Sequence, residues 1–206
     1  MRLTKFGHSC VRFDTDGGAF VIDPGVFSDP AALHGVEAVF ITHQHADHCN
    51  DPELRRLLED QPETRIYGPE SLTETLGSLP FTTVSDGDAI PVAGTEVKVI
   101  GRHHAVIHPD LPVVPNVGYL ADGVFHPGDA LTVPDEPVRV LLAPVAAPWM
   151  KLSEAVDFIR AVGAPVVHPI HDAILSEDGI VIVDRMLTEL IGDPFQRIAN
   201  GDTVTA

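Results

Sequence analysis

Short apolar runs, rich in β-branched residues and bounded by Gly, Pro or Asp, recur along the chain. Residues 11–13, 19–22, 38–42, 97–100, 117–120, 138–142 and 165–167 have this character and are predicted to be strands. Between them lie stretches with helical periodicity. The first, 52–59, follows Asp51 as a capping residue and has Pro52 at its first helical position. A shorter one covers 71–76. Residues 153–162 open on Ser153 and set Val156, Ile159 and Val162 on one face, and 184–191 form a last amphipathic helix. Asp122-Gly123 between two strand-like segments signals a hairpin. Strands with helices interposed predict an α/β (α+β) architecture, its sheets flanked by helices. No linker, low-complexity tract or short repeat interrupts the pattern, so residues 1–206 are read as one domain.

Composition narrows the picture. Apolar residues make up 44% and charged residues 21% of the 206, an ordinary globular balance. The first residues lack an apolar segment of signal-peptide length, and the most apolar stretch, 138–150, is broken by Pro144 and Pro148 and is too short to span a bilayer. Cys10 and Cys49 are the only cysteines, so no disulfide framework is implied. A cytoplasmic protein without membrane attachment is the expectation. The formal charge is −17, from 30 acidic and 13 basic residues, and only Arg55-Arg56 are adjacent cations. Such a chain offers no basic stripe for tracking phosphates, which makes long nucleic acids poor candidates and leaves a small molecule as the expected partner. Oligomeric state is not legible.

The candidate chemistry is concentrated in histidine. Of eleven, three lie within six positions, as His43, His45 and His48, with Asp47 among them. This H-x-H-x-D-H pattern directly follows the apolar run Val39-Phe40-Ile41. In extended chain, residues two apart point the same way, so His43 and His45 can grip one ion together. Once the chain turns at Ala46, Asp47 and His48 can serve a second. Imidazole with carboxylate suits zinc first, with manganese or iron as alternatives.

This cluster resembles the hallmark of the metallo-β-lactamase superfamily. Gly7-His8-Ser9, Ile22-Asp23-Pro24, His126-Pro127-Gly128-Asp129 and Pro169-Ile170-His171 extend the likeness in family order over about residues 7–172. The chain is similar to the small stand-alone hydrolases around ascorbate-6-phosphate lactonase, with a ribonuclease Z-like branch further off. The resemblance implies an αββα sandwich of two mixed sheets, with two divalent transition-metal ions at one edge. It implies that one ion takes His43, His45 and a later histidine, that the other takes Asp47, His48 and a last histidine, and that an aspartate, Asp129, bridges them. His103, His104 and His108 compete for the later position, and His168 and His171 for the last; family position favours His104 and His171. His108 is read either as a solvated loop residue or as a proton donor to the leaving group.

The expected reaction is attack by a metal-bridging hydroxide, held by Asp47 and Asp129, on a small ester, lactone or amide, phosphorylated or not. A phosphodiesterase or nuclease is the alternative within the superfamily, and a metal-binding sensor or scaffold without turnover is the alternative of another class. Asp23 is read as a strand stop or as an acceptor orienting a ligating imidazole. His8 either lines the mouth of the site or makes a structural hydrogen bond. Trp149, the only tryptophan, either walls the pocket or packs the start of a helix. Cys49 is expected to be a buried bystander.

Overall fold

Two sheets stacked face to face, with helices on both outer surfaces, make up the computed structural model, which describes residues 1–206. The first sheet runs in the order β13 (Thr203–Thr205), β1 (Arg2–Lys5), β2 (Val11–Thr15), β3 (Gly18–Ile22), β4 (Ala38–Phe40), β5 (Arg65–Gly68), β6 (Thr82–Thr83). It is antiparallel from β13 to β3 and parallel from β3 to β6. The second runs β12 (Val166–Ile170), β11 (Val140–Pro144), β10 (Val124–His126), β9 (Gly118–Ala121), β8 (Thr95–Ile100), β7 (Ala89–Val92), parallel over its first three strands and antiparallel over the rest. Asp122 and Gly123, both at positive φ, form the two-residue turn between β9 and β10.

Alternation along the strands builds three apolar layers. Phe20, Ile22 and Phe40 face inward and meet Val97, Tyr119 and Leu142 of the other sheet. Ala19, Val21, Val39 and Ile41 face outward against α1 (Asp51–Asp60) and α2 (Leu72–Leu76), through Leu54, Leu57, Leu72 and Leu76. On the second sheet Leu141, Ala143 and Val167 face α3 (Leu152–Val162) and α4 (Glu177–Ile191), through Val156, Ile159, Val183 and Leu187. Both faces of the central strands are therefore covered, which is why they read as nearly continuous apolar runs. The order of layers is αββα. No helix is long and apolar enough to cross a membrane.

Three helix starts differ from the expectation. Asn50, not Asp51, caps α1, accepting from Glu53 N. Lys151, not Ser153, precedes α3, and its N–H donates to the Glu154 carboxylate at 2.6 Å. The last helix begins at Glu177, capped by Ser176. Gly179 and acidic residues in its first turn hide that start from an apolar periodicity.

Candidate metal centre

The site lies where strand ends of the two sheets come together. After β4 the chain runs on to Thr42 and then turns tightly, with His48 N and Cys49 N both donating to His45 O at 3.0 and 2.9 Å. The segment after β3 packs against this turn: Val26 N donates to Ala46 O at 2.9 Å, and a Cβ on Gly25 would sit 1.8 Å from Asp47 O. Only glycine permits that approach. From the second sheet, His104 follows β8, Asp129 follows β10 and His171 follows β12. Gly128, at φ +63, brings its backbone against Thr42 and Asn116, where a Cβ would sit 2.4 Å from Asn116 Oδ1. The glycine before Asp129 thus makes room for its protein neighbours.

Three groups of donor atoms form within 4.8 Å of one another: His43, His45 and His104; His8, Asp47, His48 and His171; and His43, His48 and Asp129. His43 Nε2 and His45 Nδ1 are 3.0 Å apart. Asp129 stands between the groups, with Oδ2 3.4 Å from His104 Nε2 and 3.0 Å from His171 Nε2, and Oδ1 3.2 Å from His48 Nε2.

Four of the rings are held by their other nitrogen. His48 Nδ1 donates to Asp23 Oδ2 at 2.6 Å, His104 Nδ1 to Ala105 O at 2.5 Å, and His171 Nδ1 to Ala146 O at 2.6 Å. These acceptors hold a proton on Nδ1 and turn Nε2 into the cluster. Asp23 is buried and is itself fixed by Thr42 N and Thr42 Oγ1, each at 2.7 Å. Thr42 Oγ1 then accepts from His43 Nδ1 at 3.0 Å. His8 differs: its Nδ1 accepts from Ala173 N at 3.3 Å, so its Nε2–H donates to Asp47 Oδ2 at 3.2 Å. That proton makes His8 an orienting group for Asp47.

The donor set fits a metal. His48 Nε2, His104 Nε2, His171 Nε2 and Asp129 Oδ1 are buried and have no aligned hydrogen-bond partner, despite the short distances among them. Orphaned buried polar atoms are costly, and four gathered at and around the Asp129 carboxylate mark a place for cations. Electrostatics agree. Burial would raise Asp47, but the hydrogen bond from His8 and the nearby His48 and His171 bring it down to about 2. Burial acts the same way on Asp129, yet His48, His104 and His171 hold it well below the usual carboxylate range. Burial pushes the Cys49 thiol up to about 12, leaving it inert.

Of the other candidates, the structure leaves His103 exposed beside Pro115 in an isolated bridge and buries His168, whose Nδ1 meets Gln196 O at 2.6 Å. His108 is exposed, accepts from Asp110 N at 3.2 Å, and makes no hydrogen bond or ion pair with the cluster. Trp149 reaches the cluster directly: its Nε1–H donates to Asp129 Oδ2 at 2.9 Å. Sequence reasoning missed Thr42 and Asn116. Asn116 accepts from Asp129 N at 3.0 Å and donates to Pro127 O at 2.9 Å, holding the loop that carries Asp129. Nothing in their local sequence signals either role.

Residues 2–171 match the model of the β-lactamase superfamily domain. The chain is 43% identical to protein Rv0786c of Mycobacterium tuberculosis over 212 residues, covering all of both chains. It is 27% identical to the UPF0173 protein PYRAB01190 of Pyrococcus abyssi, covering 83% of each. Among solved structures it superposes on Igni18, a metallo hydrolase from Ignicoccus hospitalis, with a TM-score of 0.74 at 20% identity, over 98% of this chain and 97% of that one. The strand-end histidine cluster, the four-layer sandwich and the family match together show that this chain belongs to the metallo-β-lactamase superfamily.

Proposed function

We propose that the protein is a dinuclear metal-dependent hydrolase acting on a small ester, lactone or amide. The observation that carries this reading is the convergence of four buried, unpartnered donor atoms from His48, His104, His171 and Asp129. His43, His45 and His104 would hold one ion and Asp47, His48 and His171 the other, with Asp129 shared; zinc suits this set first, manganese or iron next. The ions, when bound, supply Lewis acidity and lower the pKa of water toward neutrality.

The chain's own residues supply orientation. Asp23 and Thr42 fix the rings of His48 and His43, His8 fixes Asp47, and Trp149 and Asn116 fix Asp129. Both site carboxylates remain ionised at neutral pH and can accept hydrogen bonds from water. In the reaction the water oxygen forms a new bond to the carbonyl carbon and the bond to the leaving oxygen or nitrogen breaks. Of the water's two protons one goes to the leaving oxygen or nitrogen and the other, lost as the product acid ionises to a carboxylate, goes to solvent or to the released amine; in a lactone the leaving oxygen stays on the same molecule. His108, turned to Asp110, is given no part in that transfer. A surface of net charge −17 disfavours long RNA or DNA as substrate.

Elemental analysis of protein purified without chelator should find close to two transition-metal ions per chain. His104→Ala and His171→Ala should each lower that content, whereas His103→Ala should leave it intact. The loaded protein should hydrolyse members of a panel of lactones, esters and amides, with Asp129→Ala inactive. Absence of metal uptake, or salt-sensitive cleavage of structured RNA exceeding all small-molecule turnover, would overturn the reading.

A further inference from the structure

Eleven large apolar side chains are exposed, and their distribution is uneven. Three lie on α4; the other eight sit in the segments that leave the site residues. Phe27 comes four positions after Asp23, Val106 and Ile107 two and three after His104, Val133 four after Asp129, and Ile174 three after His171. Phe27 is 52% and Val106 56% exposed. The Phe27 ring lies edge-on to His8, centroids 5.5 Å apart, so this apolar group begins at the site itself. Trp149 continues it inward, its ring 5.9 Å from that of His104 and 6.5 Å from that of His171.

Cations show the opposite distribution. None of the thirteen Lys and Arg residues falls within 23–29, 43–50, 103–117, 126–138, 145–150 or 171–176, the segments that frame the site. Of those just outside, Arg102 pairs with Asp86 at 3.1 Å and Arg139 with Asp122 at 3.3 Å, while Lys151, two positions after Trp149, is exposed and makes no ion pair. Lys5 is buried against Asp172 at 2.7 Å. Within the framing segments a phosphorylated substrate would find no guanidinium or ammonium to receive its phosphate, with Lys151 at their border the one unpaired cation, and it would approach a chain of net charge −17. A second copy of the chain would meet the same like-charge repulsion.

From this pairing of apolar rim and missing cations, we infer that the site takes an uncharged substrate with an apolar acyl or aryl body, not a phosphorylated one. The inference rests on the hydrolase reading for the bond broken, but the recognition it describes can be measured without turnover. Phe27, Ile107 and Ile174 cover the apolar body, and Trp149 lies between that body and Asp129.

Trp149 is the only tryptophan, so its fluorescence reports the site directly. Zinc-loaded protein would be titrated with hexanoate, octanoate and decanoate, and with gluconate and 6-phosphogluconate, which share the carboxylate but not the apolar body. Affinity should strengthen roughly fourfold per added methylene up to the reach of the rim. Decanoate should bind at least tenfold tighter than gluconate, and the phosphate should add nothing. Phe27→Ser and Ile107→Ser, at exposed positions where folding is not at stake, should flatten the chain-length dependence. A flat series, or 6-phosphogluconate binding tenfold tighter than gluconate, would overturn the inference. So would a dimer in sedimentation equilibrium that masks the rim and abolishes the dependence. A chain-length slope without hydrolysis of any ester, lactone or amide would sink the hydrolase reading alone, and hydrolysis with a flat slope would sink this inference alone.

Discussion

His8, Asp23 and His171 hold backbone φ of +48, +54 and +57, a region that L-residues with a Cβ adopt at a cost of about 1–3 kcal/mol each. Their neighbours enforce it: His171 N donates to His8 O, Ala173 N to His8 Nδ1, and Asp23 is gripped by Thr42 and His48. The site is thus fixed before any ion arrives, and His48 bears the consequence. Burial acts to lower its pKa, but Asp129 and Asp23 outweigh burial and raise it well above 6.5. In the ion-free protein His48 therefore keeps a proton that an ion must displace. The sign follows from linkage. A raised folded pKa contributes stability that is fully present below about 6.5 and is lost as pH rises through the folded value. The chelated protein should then lose stability as pH rises above about 6.5, while metal affinity rises over the same window. Melting curves of chelated and zinc-loaded protein at about pH 6.5 and 8.5 should show the gap in Tm widening with pH; a constant gap would count against His48 as a ligand.

At the scale of elements, α4 and the chain after it lie beyond the family-matched segment, yet they reach the site's support. Arg197 pairs with Asp184 of α4 at 2.6 and 2.7 Å and with Asp172, the residue after His171. Asp172 also holds buried Lys5 of β1, whose Nζ donates to Pro169 O at 3.2 Å. Arg197→Ala should cost about 2 kcal/mol by urea denaturation, less than a fully buried pair because Arg197 keeps 21% of its side chain in water. It should also weaken zinc binding, because the chain carrying His171 is freed. None of this was legible, since Lys5 and Arg197 read as ordinary surface charges until pairings 167 and 25 residues apart bring them to Asp172. β1, with two charges in four residues, and β7, with Pro91, escaped for a related reason: their partners, not their own pattern, make them strands. The central strands and α1 were legible because burial on one or both faces writes itself into local periodicity. The same holds for the site. The H-x-H-x-D-H cluster is local and stands out, whereas the bond from Trp149 to Asp129 spans 20 residues and exists only once the sandwich forms.

For the whole molecule, the decisive fact is that the donors divide between the sheets. His43, His45, Asp47 and His48 follow β4 of the first sheet, and His104, Asp129 and His171 follow strands of the second. An ion bound by both groups is a clasp across the seam, tying layers otherwise joined at that edge by the inner apolar core and hydrogen bonds such as Val117 N to Thr42 O at 3.0 Å. Bound ions should then change the unit in which the protein opens, beyond adding to its stability. With zinc, amides at the ligand ends of β4, β10 and β12 should exchange hydrogen together, at the rate of global unfolding. With chelator, the edge that carries the ligands should open and exchange sooner than the far ends of the same strands. Exchange measured peptide by peptide would show the gradient. If the ion-free protein exchanged uniformly along these strands, the two sheets would be one cooperative body without the clasp.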